Sequence, residues 1–170
     1  MLGGVYSDEG ITAAVWAPTA TEVNLLVFND DKTLANRYPM AFDDTSGVWS
    51  YAGDTSLDGK LYRYEVTVYY PSLEEITTLE VTDPYSVSLS TNGRFSRFVN
   101  LSDESLKPDG WDTQWIPEIA NPEDAVIYEG HVRDFSIRDM STSEANRGKY
   151  LAFTETGSDP VNHLQTLADA

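Results

Sequence analysis

The chain has 170 residues, of which 28 are acidic and 11 basic, so its formal charge is −17. This charge argues against binding of nucleic acid or of anionic membrane surfaces, because both require a basic face. The absence of cysteine excludes a disulfide scaffold, a thiolate metal site and cysteine catalysis. Hydrophobic residues at 41% suffice for a packed core, and aromatic residues at 12% favour β-structure.

The sequence also lacks the signals of membrane insertion. No stretch approaches the roughly 20 consecutive apolar residues that a membrane-spanning helix requires. Residues 1–4 carry neither the basic region nor the apolar region of a signal peptide. The acidic composition fits a secreted and a cytosolic protein about equally, so it does not predict the compartment.

The first hundred residues predict short β-strands separated by turns. The clearest strand is Leu61–Tyr70, in which tyrosine and valine alternate with other residues at the period of two that a half-buried strand requires. Further strands are predicted for Ile11–Trp16, Val23–Phe28, a short run after Gly47, and Ile76–Val81, the hairpin partner of the clearest strand. This spacing favours an all-β domain, an immunoglobulin-like antiparallel β-sandwich over residues 1–101.

The remainder of the chain has a different pattern. Residues 102–124 are rich in turn-forming residues, which indicates a linker. The run Ala125–Tyr128 is apolar throughout, as in a strand buried on both faces of a parallel sheet. Asp159–Pro160 then begins a predicted helix. Strand, loop and helix would form one βα unit over residues 125–170, and because such a unit cannot bury its own sheet faces, we expect a truncated second domain.

The densest polar cluster directly continues the predicted strand Ala125–Tyr128. Active sites gather at the C-terminal ends of parallel strands, so Asp134–Ser136 are candidates for lining a substrate cleft. The alternative, which we favour for an isolated strand, is that His131, Arg133 and Asp134 form an ion-pair and hydrogen-bond network that holds the strand in place.

Metal and cofactor sites are not predicted. His131 and His163 are far apart in the sequence and thiols are absent, which argues against a transition metal. The many carboxylates could hold Ca²⁺, yet no D-x-D-x-D-G loop is present, so calcium is considered only for a longer parent protein. The sequence also lacks a nucleophile elbow and a phosphate-binding glycine loop.

Aromatic residues are the best candidates for ligand contact, because the apolar face of a sugar ring stacks on Trp or Tyr. The candidate carbohydrate-binding residues are Trp49, Tyr51 and Tyr69. Tyr69 is preferred because it shares one face of its strand with Arg63 and Glu65. The alternative, which we favour for most of the aromatic residues, is that they fill the sandwich core: Trp16, Trp49, Tyr62 and Tyr64.

Five motifs resemble those of starch- and glycogen-debranching enzymes. Val15–Ala20 resembles the V-W-A-P-x-A opening of the β-sandwich module that precedes their barrel, and Val81–Tyr85 resembles its exit. Leu106–Asp112 is similar to the L-K-P-x-x-W-D linker, Ile127–Ser136 to the I-Y-E-x-H-[VI]-R-D-F-S first barrel strand, and Arg147–Thr154 to the R-G-x-Y-x-A-F-T segment after it. In this order they resemble type I pullulanases and limit dextrinases of glycoside hydrolase family 13, with their family 48 carbohydrate-binding-type module.

The resemblance implies a β-sandwich, a linker and the start of a truncated (β/α)₈ barrel. It implies a parent enzyme that cleaves α-1,6-glucosidic linkages in pullulan, starch and glycogen with retention of configuration, secreted or cell-surface if bacterial. The family's catalytic carboxylates lie on later barrel strands, so no catalytic residue is carried over and the chain itself is expected to be non-catalytic. Its expected role is to dock against the catalytic barrel within the parent protein or to contact α-glucan.

Two alternatives remain open. One is a free-standing α-glucan-binding module, for which the related module of the AMP-activated kinase beta subunit uses two Trp residues. The matching regions here, Asn29–Lys32 and Thr77–Glu80, supply no aromatic ring, which weighs against this alternative. The other is a structural immunoglobulin-like interaction domain, for which the barrel-strand motif would be an unexplained coincidence.

Overall fold

The computed structural model describes residues 1–116 and 118–169; Pro117 and Ala170, which fall within the predicted linker and the predicted barrel unit, lie outside the described residues. The chain divides into two compact units, Met1–Asp112 and Thr113–Ala170. The described strands all lie in the first unit: β1 (Gly3–Ser7), β2 (Gly10–Trp16), β3 (Ala20–Phe28), β4 (Leu34–Pro39), β5 (Ala41–Asp43), β6 (Val48–Gly53), β7 (Leu61–Tyr70), β8 (Glu75–Val81) and β9 (Ser96–Arg97).

The strands form two antiparallel sheets. Sheet A has the order β1-β2-β6-β5, and sheet B has the order β4-β3-β7-β8, with β9 also pairing with β7. The predicted all-β architecture of antiparallel strands is confirmed. Leu61–Tyr70 was predicted with both its ends correct, because its alternation runs unbroken up to the turn at Pro71.

The main core is built from alternate residues of the strands, which turn one side of each strand inward. Its largest fully buried members are Ile11, Leu25, Tyr62, Tyr64 and Phe98. The prediction that Trp16 fills the core is wrong, because this residue is 57% exposed. The alternation that buries Val15 turns the next residue of β2 to the outside.

The second unit contains two described α-helices, α1 (Val132–Ser136) and α2 (Asp159–Ala168). The helix predicted to begin at Asp159–Pro160 is therefore confirmed. The strand predicted for Ala125–Tyr128 is not formed, and Val126 and Ile127 are 96% and 88% exposed. A strand needs a neighbour to satisfy its backbone hydrogen bonds, and the described residues offer it none.

Neither of the described helices is long and apolar enough to cross a membrane.

Candidate functional site

The outward surface of sheet B concentrates polar side chains around one exposed aromatic ring. We call this surface face B. Strand register places its residues side by side on β3, β4, β7 and β8: Glu22, Asn24, Arg37, Arg63, Glu65, Thr67, Tyr69, Ile76, Thr78 and Glu80.

Asn24 is the buried centre of face B, with 4% of its surface exposed. Its Nδ2 donates hydrogen bonds to Glu22 Oε1 at 2.8 Å and to Glu65 Oε1 at 3.2 Å. Arg37 donates to the same Glu65 carboxylate and lies 3.8 Å from Glu22 Oε1. The two carboxylates are therefore held in place by an amide and a guanidinium, which limits their rotamer freedom.

Arg63 joins β7 to β8 on face B. Its Nη1 donates to Glu80 Oε2 and its Nη2 to the Glu80 backbone carbonyl, both at 2.6 Å. These bonds offset the repulsion expected between Glu65 and Glu80, which lie directly opposite each other in the register. The Nε atom of Arg63 is buried and has no hydrogen-bond partner among the described residues.

Tyr69 lies at the end of this polar row and is 53% exposed. Ile76 lies opposite it on β8, and the next pair along the ladder is Thr67 and Thr78, whose hydroxyls are 2.9 Å apart. An exposed ring beside two hydroxyl groups suits a neutral polyol, because C–H groups can stack on the ring while sugar hydroxyls donate to the threonine oxygens. This arrangement makes the Tyr69 end of face B the best-formed candidate ligand surface.

The opposite end of face B is filled by the chain itself. A second, smaller apolar cluster packs there, and its four members are Leu26, Phe28, Leu61 and Phe95. The guanidinium carbons of Arg63 and Arg94 each lie 5.8 Å from the centre of the Phe95 ring. Ligand space on face B is therefore concentrated towards Tyr69.

The two regions compared with the kinase beta subunit both adjoin sheet B. Asn29–Lys32 forms a tight turn after β3, in which Asp30 pairs with Arg97 at 3.1 Å. Thr77–Glu80 lies within β8. As the sequence predicts, neither region presents an aromatic ring.

Trp49 and Tyr51 lie on sheet A and point inward, so the structure does not bring them together with Tyr69. Trp49 is only 8% exposed, and its Nε1 donates to the Ala17 carbonyl at 3.0 Å. The Tyr51 ring stacks on Tyr38 with 4.5 Å between ring centres, and burial together with this neighbour raises the pKa of Tyr51. The contacts of Trp49 and Tyr51 are therefore packing contacts between strands.

His131, Arg133 and Asp134 lie together in the second unit, at the beginning of α1. His131 is the N-cap residue, and its Nδ1 accepts the backbone N–H of Arg133 at 3.2 Å. Arg133 Nη1 is 3.6 Å from Asp134 Oδ1. All three side chains are about two-thirds exposed or more, so they form a local surface network. Among the described residues, no group of three or more His, Asp or Glu side chains is placed to hold a metal ion.

The sequence patterns do not identify the residues that neighbouring strands contribute to face B. Asn24 and Arg37 were not identified, because their proximity to Glu65 depends on the pairing of β3 with β4 and β7. Thr78 could have been found, since the predicted hairpin of β7 and β8 already places it opposite Thr67. The available signal was strand register rather than residue type.

Comparison with known proteins gives one family match and several close relatives. Residues 1–86 match carbohydrate-binding module 48, the isoamylase N-terminal domain. The chain is 44% identical over 170 residues to a pullulanase of Klebsiella pneumoniae, covering 98% of this chain and 16% of that protein. It is 42% identical over 173 residues to the chloroplastic pullulanase 1 of Arabidopsis thaliana, covering 99% of this chain and 18% of that protein.

The fold agrees with these relatives. The crystal structure of Klebsiella pneumoniae pullulanase complexed with maltotriose superposes with a TM-score of 0.92 at 42% identity, covering 99% of this chain and 16% of that one. The chain thus spans less than a fifth of the length of the relatives it matches. Because the family match covers half of the residues and the all-β fold agrees with it, this chain belongs to the carbohydrate-binding module 48 family.

Proposed function

We propose that this chain is a non-catalytic, α-glucan-contacting region of a pullulanase-type enzyme that hydrolyses α-1,6 linkages. The observation that carries the proposal is the extent of similarity: the match to pullulanases covers 98% of the chain, whereas the module family match ends at residue 86. A free-standing glucan-binding module would not account for similarity in the second unit. The substrate class follows from the pullulanase relatives, and would include pullulan, starch and glycogen.

We further propose the division into a sandwich over residues 1–101, a linker over 102–124, and the first part of a (β/α)₈ barrel over 125–170. The exposed apolar side chains of Val126 and Ile127 support this proposal, because a barrel strand without its neighbours would leave such residues uncovered. In the barrel, His131, Arg133 and Asp134 would follow the first strand.

Within the sandwich, we propose that the Tyr69 end of face B is the α-glucan contact. The Tyr69 ring would stack on the apolar face of a glucose unit. The Thr67 and Thr78 hydroxyls would accept hydrogen bonds from its hydroxyl groups. The acidic net charge does not oppose this ligand, because α-glucan is neutral.

The test is an NMR titration of the labelled 170-residue chain with maltotriose and with a branched 6-α-maltosyl oligosaccharide. We expect saturable shifts centred on Tyr69, Thr67 and Thr78. Tyr69→Ala should weaken binding by at least about tenfold, or about 1.4 kcal/mol. Tyr70→Ala is the matched control, since Tyr70 is the next residue of β7, is 42% exposed, and points to the opposite side.

Two results would contradict the proposed glucan contact. The first is binding that Tyr69→Ala and Tyr70→Ala weaken equally, because this would show no preference for face B. The second is an absence of shifts on face B with saturable shifts elsewhere, for example around Trp49 and Tyr51.

A further inference from the structure

A cavity opens at the end of the sandwich where β1 turns into β2, and we call it the end cavity. Its volume is about 470 Å³, which lies within the range of about 300–1,000 Å³ that is typical of small-ligand sites. The end cavity is enclosed by the turn between β1 and β2, by the segment after β6 and by the segment after β9. Its polar lining includes Tyr6, Asp8, Thr55, Asp58, Asn100 and Ser102.

The fold holds the walls of the end cavity in place. Ile11, which lines it, is 1% exposed and belongs to the main core, and Tyr6 packs against the same core. Gly10, with φ +136°, brings the turn between β1 and β2 against β6: a Cβ atom on Gly10 would lie only 2.2 Å from the Gly53 carbonyl oxygen. Because the walls are already ordered, a ligand loses little of its binding free energy to ordering them.

A hydrogen bond joins two walls of the end cavity. Tyr6 on β1 donates its hydroxyl to Asp58 Oδ1 at 2.6 Å, although the two residues are 52 positions apart in the chain. Burial, together with the Asp58 carboxylate, raises the pKa of Tyr6, so the phenol stays protonated and keeps donating. The bond orients the Asp58 carboxylate, whose second oxygen can accept a hydrogen bond from a ligand.

The lining can both donate and accept hydrogen bonds. Asn100 Oδ1 accepts the Ser102 backbone N–H at 3.0 Å, which leaves the Asn100 Nδ2 as a donor. Thr55 and Ser102 add hydroxyl groups, and Asp8 and Asp58 add carboxylate acceptors. A sugar hydroxyl matches such a mixed lining, because it donates one hydrogen bond and accepts others.

The charge of the lining narrows the class of ligand further. The described residues that line the end cavity include three aspartates, Asp8, Asp58 and Asp103, and neither Lys nor Arg. An anionic ligand would be repelled, and no group of three or more His, Asp or Glu side chains in the described part of the chain is placed to hold a metal ion. An organic ammonium would use the carboxylates and leave the Asn100 amide unused, whereas a neutral polyol uses both.

We propose that the end cavity is a second α-glucan subsite, which binds one glucose unit separately from the Tyr69 end of face B. This inference rests on the proposed function, from which the ligand class is taken. The Tyr6 ring and the Ile11 side chain would contact the C–H groups of the sugar, while its hydroxyl groups bond to Asp58 and Asn100.

The two subsites lie at opposite ends of β7. Asp58 lies three residues before β7 begins, whereas Tyr69 is the last residue but one of this strand. The ten residues of β7 separate its two ends by about 30 Å. One maltotriose molecule therefore cannot occupy both subsites, and each can be measured without the other.

The test follows the same NMR titration of the labelled 170-residue chain with maltotriose, read separately at the two subsites. We expect saturable shifts of the Asn100 side-chain amide and of the Thr55 and Asp58 backbone amides. Asn100→Ala should weaken binding at the end cavity at least about fivefold, because it removes a hydrogen-bond donor, and should leave binding at Tyr69 unchanged.

A reciprocal pair of variants provides the matched control. Thr55→Val keeps the shape of the side chain and removes its hydroxyl, so it should weaken binding at the end cavity only. Thr78→Val makes the same change on face B and should weaken binding at Tyr69 only. This pair keeps the proposal testable if Asn100→Ala disturbs the turn that Asn100 forms with Ser102.

The outcomes separate the end cavity from the proposed function. Saturable shifts at Tyr69 with none at Thr55 and Asn100 would overturn the second subsite and leave the proposed function intact. Shifts at the end cavity that Tyr69→Ala abolishes would show that it is not a separate subsite. Spermidine that shifts the same amides and displaces maltotriose would identify an organic cation as the occupant and overturn the proposal. Shifts at the end cavity with none on face B would support the second subsite and contradict the proposed contact at Tyr69.

Discussion

The two outer faces of the sandwich are built from the same strand alternation and yet have opposite chemistry. On face B, Arg37 on β4 binds the Glu65 carboxylate on β7 across β3, and Arg63 on β7 binds the Glu80 carboxylate on the neighbouring strand β8. Face A is the outward surface of sheet A, where Asp43 is the only charged residue among the described strand positions. Its aromatic residues are Trp16, whose indole N–H donates to the Ser46 carbonyl, and Tyr85, which lies over Gly3 and whose backbone N–H donates to Asp83. Face B therefore pairs its charged side chains with one another, whereas face A presents aromatic rings that its own sheet leaves partly exposed.

This difference shows that inward–outward alternation does not define the role of an outer face. The strands behind both faces show the alternation of inward and outward side chains that is typical of half-buried strands. What separates them is whether the outward groups are neutralised by their neighbours. Experiments that perturb one face and spare the other can therefore break or sharpen the comparison.

The largest expected effect is on the apolar end of face B. Phe95 is 5% exposed and packs edge-to-face on Phe28 with 5.0 Å between ring centres. Phe95→Ala should lower the free energy of unfolding of the first unit by about 3–5 kcal/mol, because it removes a buried ring and leaves a cavity in the apolar cluster. Urea unfolding followed by tryptophan fluorescence measures this loss.

Phe42→Ala makes the same deletion on sheet A and serves as the matched control. The Phe42 ring is 44% exposed at the edge strand β5, so we expect less than about half the loss. Equal losses for the two variants would show that the apolar cluster of face B is no more tightly packed than the edge of sheet A.

A smaller effect is expected from the hydrogen bond between Tyr62 and Asp83, the residue whose carboxylate also accepts the backbone N–H of Tyr85. Tyr62→Phe removes the hydroxyl that donates to buried Asp83, so it should cost about 1.5–3 kcal/mol at neutral pH. Burial, reinforced by Asp83, raises the pKa of Tyr62 and of Tyr64 above that of an exposed tyrosine. Tyr69→Phe, which removes an exposed hydroxyl, is the control and should change stability by less than about 0.5 kcal/mol.

The raised pKa values also predict an alkaline limit to stability. The stabilising contribution of the protonated tyrosines is complete below about pH 10, where the unfolded chain also keeps them protonated. As pH rises further, the unfolded state releases protons first, and stability falls. Urea midpoints measured from pH 8 to 11 should fall less steeply for Tyr62→Phe than for the original chain; identical slopes would contradict this account.

The smallest effect is expected at the single charge of face A. Asp43 accepts the Ser46 hydroxyl at 2.6 Å and the Thr45 backbone N–H at 3.0 Å, and these bonds lower the pKa of its carboxyl group. Its contribution is therefore present above about pH 4 and is lost as pH falls through the lowered value. The Ser46 backbone carbonyl also accepts the indole N–H of Trp16, so the Trp16 N–H resonance should shift in this acid range.

Asp43→Asn should abolish the acid shift of the Trp16 resonance at little cost in stability. Asp31→Asn is the matched control, because Asp31 holds a similar turn through Thr33 on the sheet B side and its pKa is lowered in the same way. A Trp16 shift that persists in Asp43→Asn but disappears in Asp31→Asn would refute the link between this turn and the indole.

Local patterns predicted the strands well where alternation and turns agreed. Leu61–Tyr70 and its partner β8 follow from a period of two interrupted at Pro71, and the inward position of Tyr62 and Tyr64 follows with them. The same reasoning failed for Trp16, because a large aromatic residue was expected inside whereas the register of β2 turns it outward. Residue type predicted burial less well than position within the strand.

The sequence by itself determined the all-β class of the first unit, its most regular strands, the helix beginning at Asp159–Pro160 and the motifs of the family, since these depend on local periodicity and residue identity. Only the tertiary structure decided that Tyr69 lies apart from Trp49 and Tyr51, and that Trp16 and Tyr85 share one face, since these depend on which strands pair. It also left Ala125–Tyr128 without strand structure among the described residues. A strand is stabilised by hydrogen bonds to a neighbour, and that neighbour is a property of the fold rather than of the segment.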